Sequence, residues 1–348
     1  PQTYVTASLY MPKDIELPGP AVLFVCGHAP SGRMDEDYQR VCYTLVKAGL
    51  IVFAMDPMGQ GERGDFYDPE TGTYLINRTT PDHDACGVPA VATGRMLQRY
   101  FLCDEMRAVD YMLTRPEIDP KRIGVTGNSG GGTQTAVMMA MDDRIAAAAP
   151  GTFVTSRREY MQWGQAQDSE QIWPGIADKG FDHVNPFMIF APRPAAILAV
   201  KYDFFPIEGT RETFREAQRI YGLYGRKEQV RLYEDEYTHS YTPKLAVCAA
   251  EFFSEIFLGR KVTVDNRHFE PLPEEKMYAT RTGNIKGEIA DARLVPQEVA
   301  EYAEELRKAR MALPEAERKA RAKAWLTERV MFHRTPVDFN ARIFPKDA

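Results

Sequence analysis

Short apolar runs alternate along the chain with segments of helical periodicity, and this alternation restricts the possible folds more than any other feature. The runs are rich in Val, Ile and Ala and span residues 21–27, 50–56, 122–127, 145–151, 195–203 and 229–235. Amphipathic helical segments separate them, for example at 37–49, 104–118 and 209–225. Strands that are apolar on both faces belong to parallel sheets covered by helices on either side. The pattern therefore predicts an α/β fold with a mostly parallel sheet and helices on both faces.

The alternation predicts one enzyme-sized domain over residues 1–260. Two long stretches, 57–100 and 152–190, interrupt it, and loops of such length usually form lids or binding sites. We interpret 152–190 as a lid-like insertion that helps to build a substrate pocket. Residues 261–348 have the character of a charged helical extension or linker, with one or two exposed helices expected within 296–326.

The end of the chain resembles its beginning. Residues 340–347 and residues 6–14 both alternate small and apolar side chains before a Pro-Lys-Asp sequence. Any strand that runs into a proline turn has this character, so we favour a chance match. The alternative hypothesis is that this chain is the front portion of a tandem protein whose second, similar domain begins here. A stop codon directly after Ala348 in the native gene would exclude that hypothesis.

Composition argues against several classes of partner. The formal net charge is -6 and the basic residues are scattered, so no nucleic-acid surface is expected. No apolar run reaches the roughly 18 residues that a membrane span needs. The 5 cysteines show no CxxC spacing, which predicts neither a disulfide framework nor a zinc site.

The chain starts without Met in the middle of an apolar–polar alternation, which is consistent with removal of a signal peptide or leading strand. Compartment and oligomeric state stay open.

A glycine-flanked serine follows one of the predicted strands. Ser129 lies in the motif Gly127-Asn128-Ser129-Gly130-Gly131, after the run at 122–127 and before a helical segment at 131–141. This strand–turn–helix context is the one that a Gly-x-Ser-x-Gly nucleophile elbow requires, and glycines two positions away avoid collisions with the neighbouring strand and helix. We interpret Ser129 as a nucleophile rather than a simple turn residue.

A nucleophilic serine needs a base and an orienting acid, which in this architecture follow it in the chain. Asp203 ends the strand at 195–203, and His239 follows the strand at 229–235. His239 is also the only histidine between residues 184 and 267. Asp235 and Glu208 are alternative acids, but both are less well placed than Asp203. The order Ser129, Asp203, His239 predicts a catalytic triad.

Two backbone N–H groups are expected to stabilise the oxyanion that such a serine generates. One is that of Gly130, directly after the nucleophile. The other should come from the loop after the strand at 21–27, where His28 is the most suitable donor. The imidazole of His28 could instead line the pocket, and the sequence does not distinguish the two uses.

Together these segments resemble the α/β-hydrolase superfamily, and within it the acetyl xylan esterase and cephalosporin deacetylase-like carbohydrate esterases, including the dienelactone hydrolase-like group. The resemblance covers roughly residues 3–260 and rests on CGH at 26–28, DPMGQGER at 56–63, DPKRIGVTGNSGGG at 119–132, APRPAAILAVKYDFFPIEGT at 191–210 and THSY at 238–241. Two positions depart from the pattern. Met58 replaces the arginine of the deacetylases' Arg-Gly-Gln-Gly segment, and Gly130 replaces the glutamine that usually follows the serine.

The resemblance implies ester hydrolysis through an acyl-enzyme with no metal and no organic cofactor, on a small-molecule or carbohydrate ester such as acetylated xylan. A carbohydrate esterase of this kind would be periplasmic or secreted. It also implies that the segment containing Gln60 lies close under the active site, which makes Gln60 a candidate substrate-binding residue. A serine peptidase of the prolyl oligopeptidase type and a non-catalytic binding module are the alternatives. The peptidases usually carry a propeller domain for which this chain has no room.

Aromatic side chains are concentrated in the insertion at 152–190. Tyr160, Trp163 and Trp173 stand there beside arginines and amides. Aromatic faces next to hydrogen-bonding groups suit a sugar ring, so these three residues are candidate substrate-binding residues. The alternative, which we weigh equally, is that they pack the insertion onto the core.

Overall fold

The computed structural model describes residues 3–163 and 167–330. Residues 340–347, which resemble the start of the chain, lie outside this range. Nine strands are described: β1 (Ala7–Tyr10), β2 (Gly19–Val25), β3 (Ile51–Met55), β4 (Tyr67–Asp68), β5 (Thr73–Tyr74), β6 (Ile118–Asn128), β7 (Ala147–Gly151), β8 (Ala195–Tyr202) and β9 (Val230–Thr238). The helices are α1 (Glu36–Lys47), α2 (Thr80–Ala92), α3 (Gln98–Thr114), α4 (Gly130–Met141), α5 (Arg157–Trp163), α6 (Asn185–Phe190), α7 (Ile207–Leu223), α8 (Pro243–Leu258), α9 (Ile285–Glu288), α10 (Val295–Met311) and α11 (Glu315–Arg329).

Seven of the strands form one sheet in the order β1-β3-β2-β6-β7-β8-β9. All neighbouring pairs are parallel except β1–β3, where the antiparallel β1 covers one edge. Each of the six apolar runs predicted as strands contributes a strand to this sheet. The predicted fold class, a mostly parallel sheet covered by helices, is confirmed.

The centre of the sheet is buried on both faces, and β2, β3 and β7 are buried at every position because their residues are apolar or small. In β2, Ala21, Leu23 and Val25 belong to one hydrophobic cluster, which also holds side chains of α3, α4 and α6. The alternate residues Val22 and Phe24 belong to a second cluster, with side chains of α1 and α8. Successive strand residues point to opposite faces, so the two clusters are the two sides of the sheet.

Parallel strands bring the predicted site residues to one edge. Ser129 follows β6, Asp203 follows β8, His239 follows β9 and His28 follows β2 by a few residues. In open α/β sheets the active-site groups gather at the carboxyl ends of the strands, which is where all four residues lie.

The two long interruptions have their own short elements. The first, 57–100, contains the β4–β5 hairpin and α2, and the second, 152–190, contains α5, a 3-10 turn at Ser169–Gln171 and α6. Contacts link the two insertions, because α2 packs on the Ser169–Gln171 turn. The Ser169–Gln171 turn also contacts α4, the helix after Ser129.

The chain divides into two compact units, Pro1–Val299 and Ala300–Ala348. The first unit extends past residue 260, the boundary predicted from composition. Hydrogen bonds of Glu62 help to hold the segment after residue 260 on the first unit. The Glu62 carboxylate accepts the backbone N–H groups of Ala279 and Thr280 at 2.8 Å. Asn284 caps α9 and donates to the Gly64 carbonyl, so the segment after 260 satisfies buried polar groups of the α/β domain.

The second unit contains the rest of α10 and all of α11 among its described residues. Glu304–Arg307 and Glu317–Arg321 pair along these helices, as expected for exposed, charged helices. The prediction of charged helices within 296–326 is confirmed. Within residues 3–163 and 167–330, no helix combines the length and apolar character needed to cross a membrane.

Candidate active site

Ser129 occupies a strained turn between β6 and α4. Its backbone has φ 58° and ψ -114°, in a region that L-residues rarely adopt, and its N–H donates to the Gly151 carbonyl at 2.9 Å. A Cβ on Gly127 or on Gly131 would collide with the Val25 carbonyl oxygen of the neighbouring strand. The glycines are therefore a steric requirement for the turn, as predicted for a nucleophile elbow.

Asp203 and His239 form a hydrogen-bonded pair. Nδ1 of His239 lies 2.8 Å from Oδ1 of Asp203, and the Asp203 side chain is only 2% exposed. The same Oδ1 accepts the backbone N–H of Phe205 at 3.1 Å, which fixes the orientation of the carboxylate. The ring of Phe204 covers His239 with a centroid distance of 4.2 Å. The imidazole is thus held with its other nitrogen free for a proton.

Ser129 and His239 line one cavity of about 460 Å³. His28 and Tyr38 form part of its wall, together with Asp35 and with Asp37, whose carboxylate pairs with Arg40. The structure therefore brings the predicted nucleophile, base and oxyanion loop to the same cavity, with the predicted acid bonded behind the base.

Neither alternative acid approaches His239 in the described contacts. The Asp235 carboxylate accepts the Thr242 hydroxyl at 2.6 Å and lies 3.2 Å from Lys244 Nζ, so it is committed to the start of α8. Glu208 is exposed in the first turn of α7. Asp203 is the carboxylate in the position of a triad acid.

Gln60 lies next to the site but does not have the contact predicted for it. Its side chain is buried, and its amide donates to the carbonyl oxygens of Gly27 at 2.7 Å and Ala29 at 3.4 Å. These two carbonyls flank His28. We therefore correct the role of Gln60 from a substrate-binding residue to one that holds the predicted oxyanion loop in place.

The three aromatic candidates have different environments. Tyr160 is buried and stacks on Phe205 at 5.1 Å, so it packs the insertion on the core instead of facing a substrate. Trp173 is half-buried and donates its indole N–H to the Glu170 carbonyl at 2.8 Å, which also indicates a packing role. Trp163 differs, since it is 61% exposed and lines a second cavity, of about 620 Å³, that reaches Asp203.

Two histidines and two carboxylates meet behind Ser129. Nε2 of His28 lies 3.3 Å from both Asp168 Oδ2 and Glu170 Oε1, and Nδ1 of His83 lies 3.1 Å from Asp168. Burial and the charge of Asp168 raise the pKa of Glu170 to about 8, although His28 opposes the shift. Burial also opposes ionisation of Asp168, but hydrogen bonds from His28 and His83 outweigh it and lower the pKa of Asp168.

This group explains why glycine follows the serine. A Cβ on Gly130 would overlap Oε1 of Glu170 and lie 2.9 Å from Cε1 of His28. Sequence reasoning missed His83, Asp168 and Glu170, because they come from separate segments with no motif spacing. The departure at Gly130 was the one signal that another side chain occupies this space.

We expect Gly130→Ala to destabilise the fold and to lower activity. The added methyl must displace the Glu170 carboxylate or His28, and overpacking of this kind typically costs about 1–3 kcal/mol. Thermal or urea unfolding of the variant measures the loss. Gly222→Ala is the matched control, because Gly222 lies in α7 with no heavy atom within 4 Å of its would-be Cβ. That control should unfold at the wild-type midpoint or above it. Equal stability of Gly130→Ala and wild type would contradict the expectation.

Comparison with known proteins agrees with the fold, which is that of the α/β-hydrolases. The family model of the acetyl xylan esterases matches residues 2–169. A protein of Bacillus subtilis (strain 168), YtaP, whose name assigns it to the hydrolases, is 26% identical over 262 residues, which are 70% of this chain and 81% of that protein. The chain therefore has an α/β-hydrolase fold and is similar to the acetyl xylan esterases over residues 2–169.

Solved structures of esterases share this fold. The methylesterase BT1017 superposes with a TM-score of 0.63 at 24% identity over 93% of this chain, and this chain spans 65% of its length. A carbohydrate esterase family 15 glucuronoyl esterase from Caldicellulosiruptor kristjansonii has a TM-score of 0.52 at 18% identity, with 77% of each chain covered. At these identities the likeness concerns the fold alone.

Proposed function

We propose that the protein is a serine carboxylic ester hydrolase that acts through an acyl-enzyme, with Ser129, His239 and Asp203 as its triad. The observation that carries the proposal is the 2.8 Å bond between His239 and Asp203, with Ser129 at a strained elbow in the same cavity as His239. A serine hydroxyl is a weak nucleophile until a base takes its proton, and the base needs an acid that fixes its tautomer. These residues supply each part.

In the proposed reaction His239 accepts the Ser129 proton through Nε2, while Nδ1–H donates to Asp203. The serine oxygen attacks the ester carbonyl, and the backbone N–H groups of Gly130 and His28 stabilise the oxyanion. Gly130 begins α4, so the positive end of the helix dipole adds to this stabilisation. His239 then returns the proton to the leaving alcohol, and water releases the acid by the same steps in reverse.

We propose a neutral carbohydrate ester, such as an acetylated xylan, as the substrate. The names of the similar proteins support a carbohydrate, because they include acetyl xylan, methyl and glucuronoyl esterases. Asp35 supports a neutral substrate, since its carboxylate at the cavity repels an anionic one, and the described lining residues include no Lys or Arg; the other acidic residue of the wall, Asp37, is paired with Arg40. A sugar acetate fits this charge better than a substrate with a free uronic acid group.

A panel of esters tests this proposal. Acetate release from acetylated xylo-oligosaccharides and from aryl acetates should exceed turnover of longer aryl esters, and turnover should fall further on sugars that carry a free carboxylate. A methyl ester of glucuronic acid and a prolyl peptide anilide complete the panel. Preference for the methyl ester would assign the sugar to the acyl side of the bond, and cleavage of the anilide alone would replace the esterase proposal with a peptidase.

Trp163→Ala should weaken hydrolysis of acetylated oligosaccharides far more than that of a small aryl acetate. The exposed indole lines the same cavity as Asp203, where its face can stack on a sugar ring, and aromatic stacking contributes about 0.5–1.5 kcal/mol. The measurement is kcat/KM on both substrates. Tyr224→Ala is the control, because this equally exposed ring lies at the far end of α7 from Asp203. Equal losses on the two substrates would remove Trp163 from the sugar site.

A further inference from the structure

Four ligand-type side chains converge within the first compact unit, and the proposed reaction does not use them. His28 comes from the loop after β2, His83 from α2, and Asp168 and Glu170 from the segment around the Ser169–Gln171 turn. The side chains of His83, Asp168 and Glu170 are at most 5% exposed, and that of His28 is 20% exposed. One ligand atom from each residue lies within 4.8 Å of all the others. We call this group the His28 cluster.

Unless the cluster holds a cation or an extra proton, the hydrogen bonds around it leave lone pairs facing one another. Nε2 of His83 lies 3.0 Å from the Met58 carbonyl oxygen, which can only accept, so the ring proton belongs on Nε2. Nδ1 of a neutral His83 then presents a lone pair to both oxygens of Asp168 at 3.1 Å. A carboxylate is also an acceptor, so the two groups repel each other. The contact is favourable only if a cation lies between them or if His83 carries a second proton.

Glu170 adds a second, independent sign of a missing partner. The residue is completely buried, and among the described residues its Oε1 has no partner in hydrogen-bond geometry; its ion-pair contact is with His28 Nε2 at 3.3 Å. Its other oxygen accepts a long hydrogen bond, of 3.4 Å, from the Gln134 amide. The ionised form of Glu170 is therefore costly in this position unless a cation compensates its charge.

Three of the separations between ligand atoms are compatible with tetrahedral coordination. A tetrahedral zinc site with bonds of about 2.0–2.1 Å places its ligand atoms about 3.3 Å apart. The separations are 3.3 Å from His28 Nε2 to both carboxylates and 3.1 Å from His83 Nδ1 to Asp168, and the remaining pairs of ligand atoms lie within 4.8 Å. The bond from His83 Nε2 to Met58 is the outer contact that usually orients a zinc-binding histidine.

We propose that the His28 cluster is a zinc site with His28, His83, Asp168 and Glu170 as its four ligands. Four protein ligands close a tetrahedron, which is the arrangement of a structural rather than a catalytic zinc. The ion would join the oxyanion loop, α2 and the 168–170 segment behind Ser129. The ion would therefore position the loop that carries the His28 N–H. This structural role is separate from the proposed ester hydrolysis, which Ser129, His239 and Asp203 carry out.

Zinc content and thermal stability of the purified full chain test the proposal. After chelation and dialysis against micromolar Zn²⁺, the wild type should hold about one ion per chain, and its Tm should rise with the free Zn²⁺ concentration.

Glu170→Gln and His83→Gln keep the size of the side chains but weaken ligation. Each should lower zinc affinity by more than about 100-fold, beyond the 10–100-fold typical of an outer-shell partner. Co²⁺ in place of Zn²⁺ should give the visible absorption of a tetrahedral ion in the wild type only.

Two control variants separate this cluster from other histidines and ligands. His268→Ala removes an exposed histidine, and Cys86→Ala disrupts the other described group of ligand-type residues, Asp65, Asp82 and Cys86. Both should bind zinc as the wild type does. A wild type that binds no zinc, or equal binding by Glu170→Gln, would overturn the proposal and assign the positive charge to protonated histidines. Ester hydrolysis that depends on Ser129 would survive that outcome, so the two proposals fail separately.

Discussion

Ser129→Ala is expected to lower kcat for ester hydrolysis by roughly 10⁴-fold or more, because it removes the atom that forms the acyl-enzyme. The backbone at residue 129 is already held at φ 58°, and alanine meets the same steric limits there as serine. The substitution should leave the fold intact. Release of acetate from a saturating aryl acetate measures the loss, and circular dichroism with thermal unfolding checks the fold.

Ser240→Ala is the matched control for this prediction. Ser240 lines the same cavity and directly follows His239, so it shares the surroundings of Ser129 without the elbow. Its removal should leave most of the activity. A serine-directed fluorophosphonate should label the wild type and Ser240→Ala but not Ser129→Ala. Activity or labelling that persists in Ser129→Ala would contradict the proposed mechanism.

The sheet could be predicted because short apolar runs in the local sequence identify its strands. Residues 50–56 form β3 and residues 195–203 form β8, since a strand buried on both faces must be apolar at every position. The boundary at 260 could not be predicted in the same way. The segment that follows is polar, and only tertiary hydrogen bonds, such as those of Glu62 with Ala279 and Thr280, tie it to the α/β domain.

The candidate triad could be predicted from the order of residues at strand ends, because parallel strands bring those ends together. The direction of side chains next to the site could not. Gln60 lies near the oxyanion loop, but its amide turns to the Gly27 carbonyl instead of the cavity. His83 and Glu170 meet only after α2 packs on the Ser169–Gln171 turn, and such long-range packing leaves no local pattern.

Asp203→Asn is expected to lower kcat by about 10⁴-fold while KM changes little. The Asp203 carboxylate accepts the N–H on Nδ1 of His239 at 2.8 Å, which leaves Nε2 unprotonated for the serine. An asparagine amide can donate to Nδ1 instead, which favours the opposite tautomer and blocks proton transfer. The carboxylate also stabilises the imidazolium that forms during attack, and a neutral amide does not. Steady-state kinetics on an aryl acetate measures the change.

The Asp235→Asn variant tests whether the decrease in kcat is specific to Asp203 or follows from the removal of any carboxylate near His239. Asp235 lies closer to His239 in the chain, but its carboxylate bonds Thr242 and Lys244 at the start of α8. We expect Asp235→Asn to weaken this helix start by about 1 kcal/mol and to leave kcat within a few-fold of wild type. A loss in Asp235→Asn as large as that in Asp203→Asn would mean that the histidine exchanges its partner during turnover. Because Asp203 is buried and its orientation is fixed by the Phe205 N–H, we expect the two variants to differ by at least about 10³-fold.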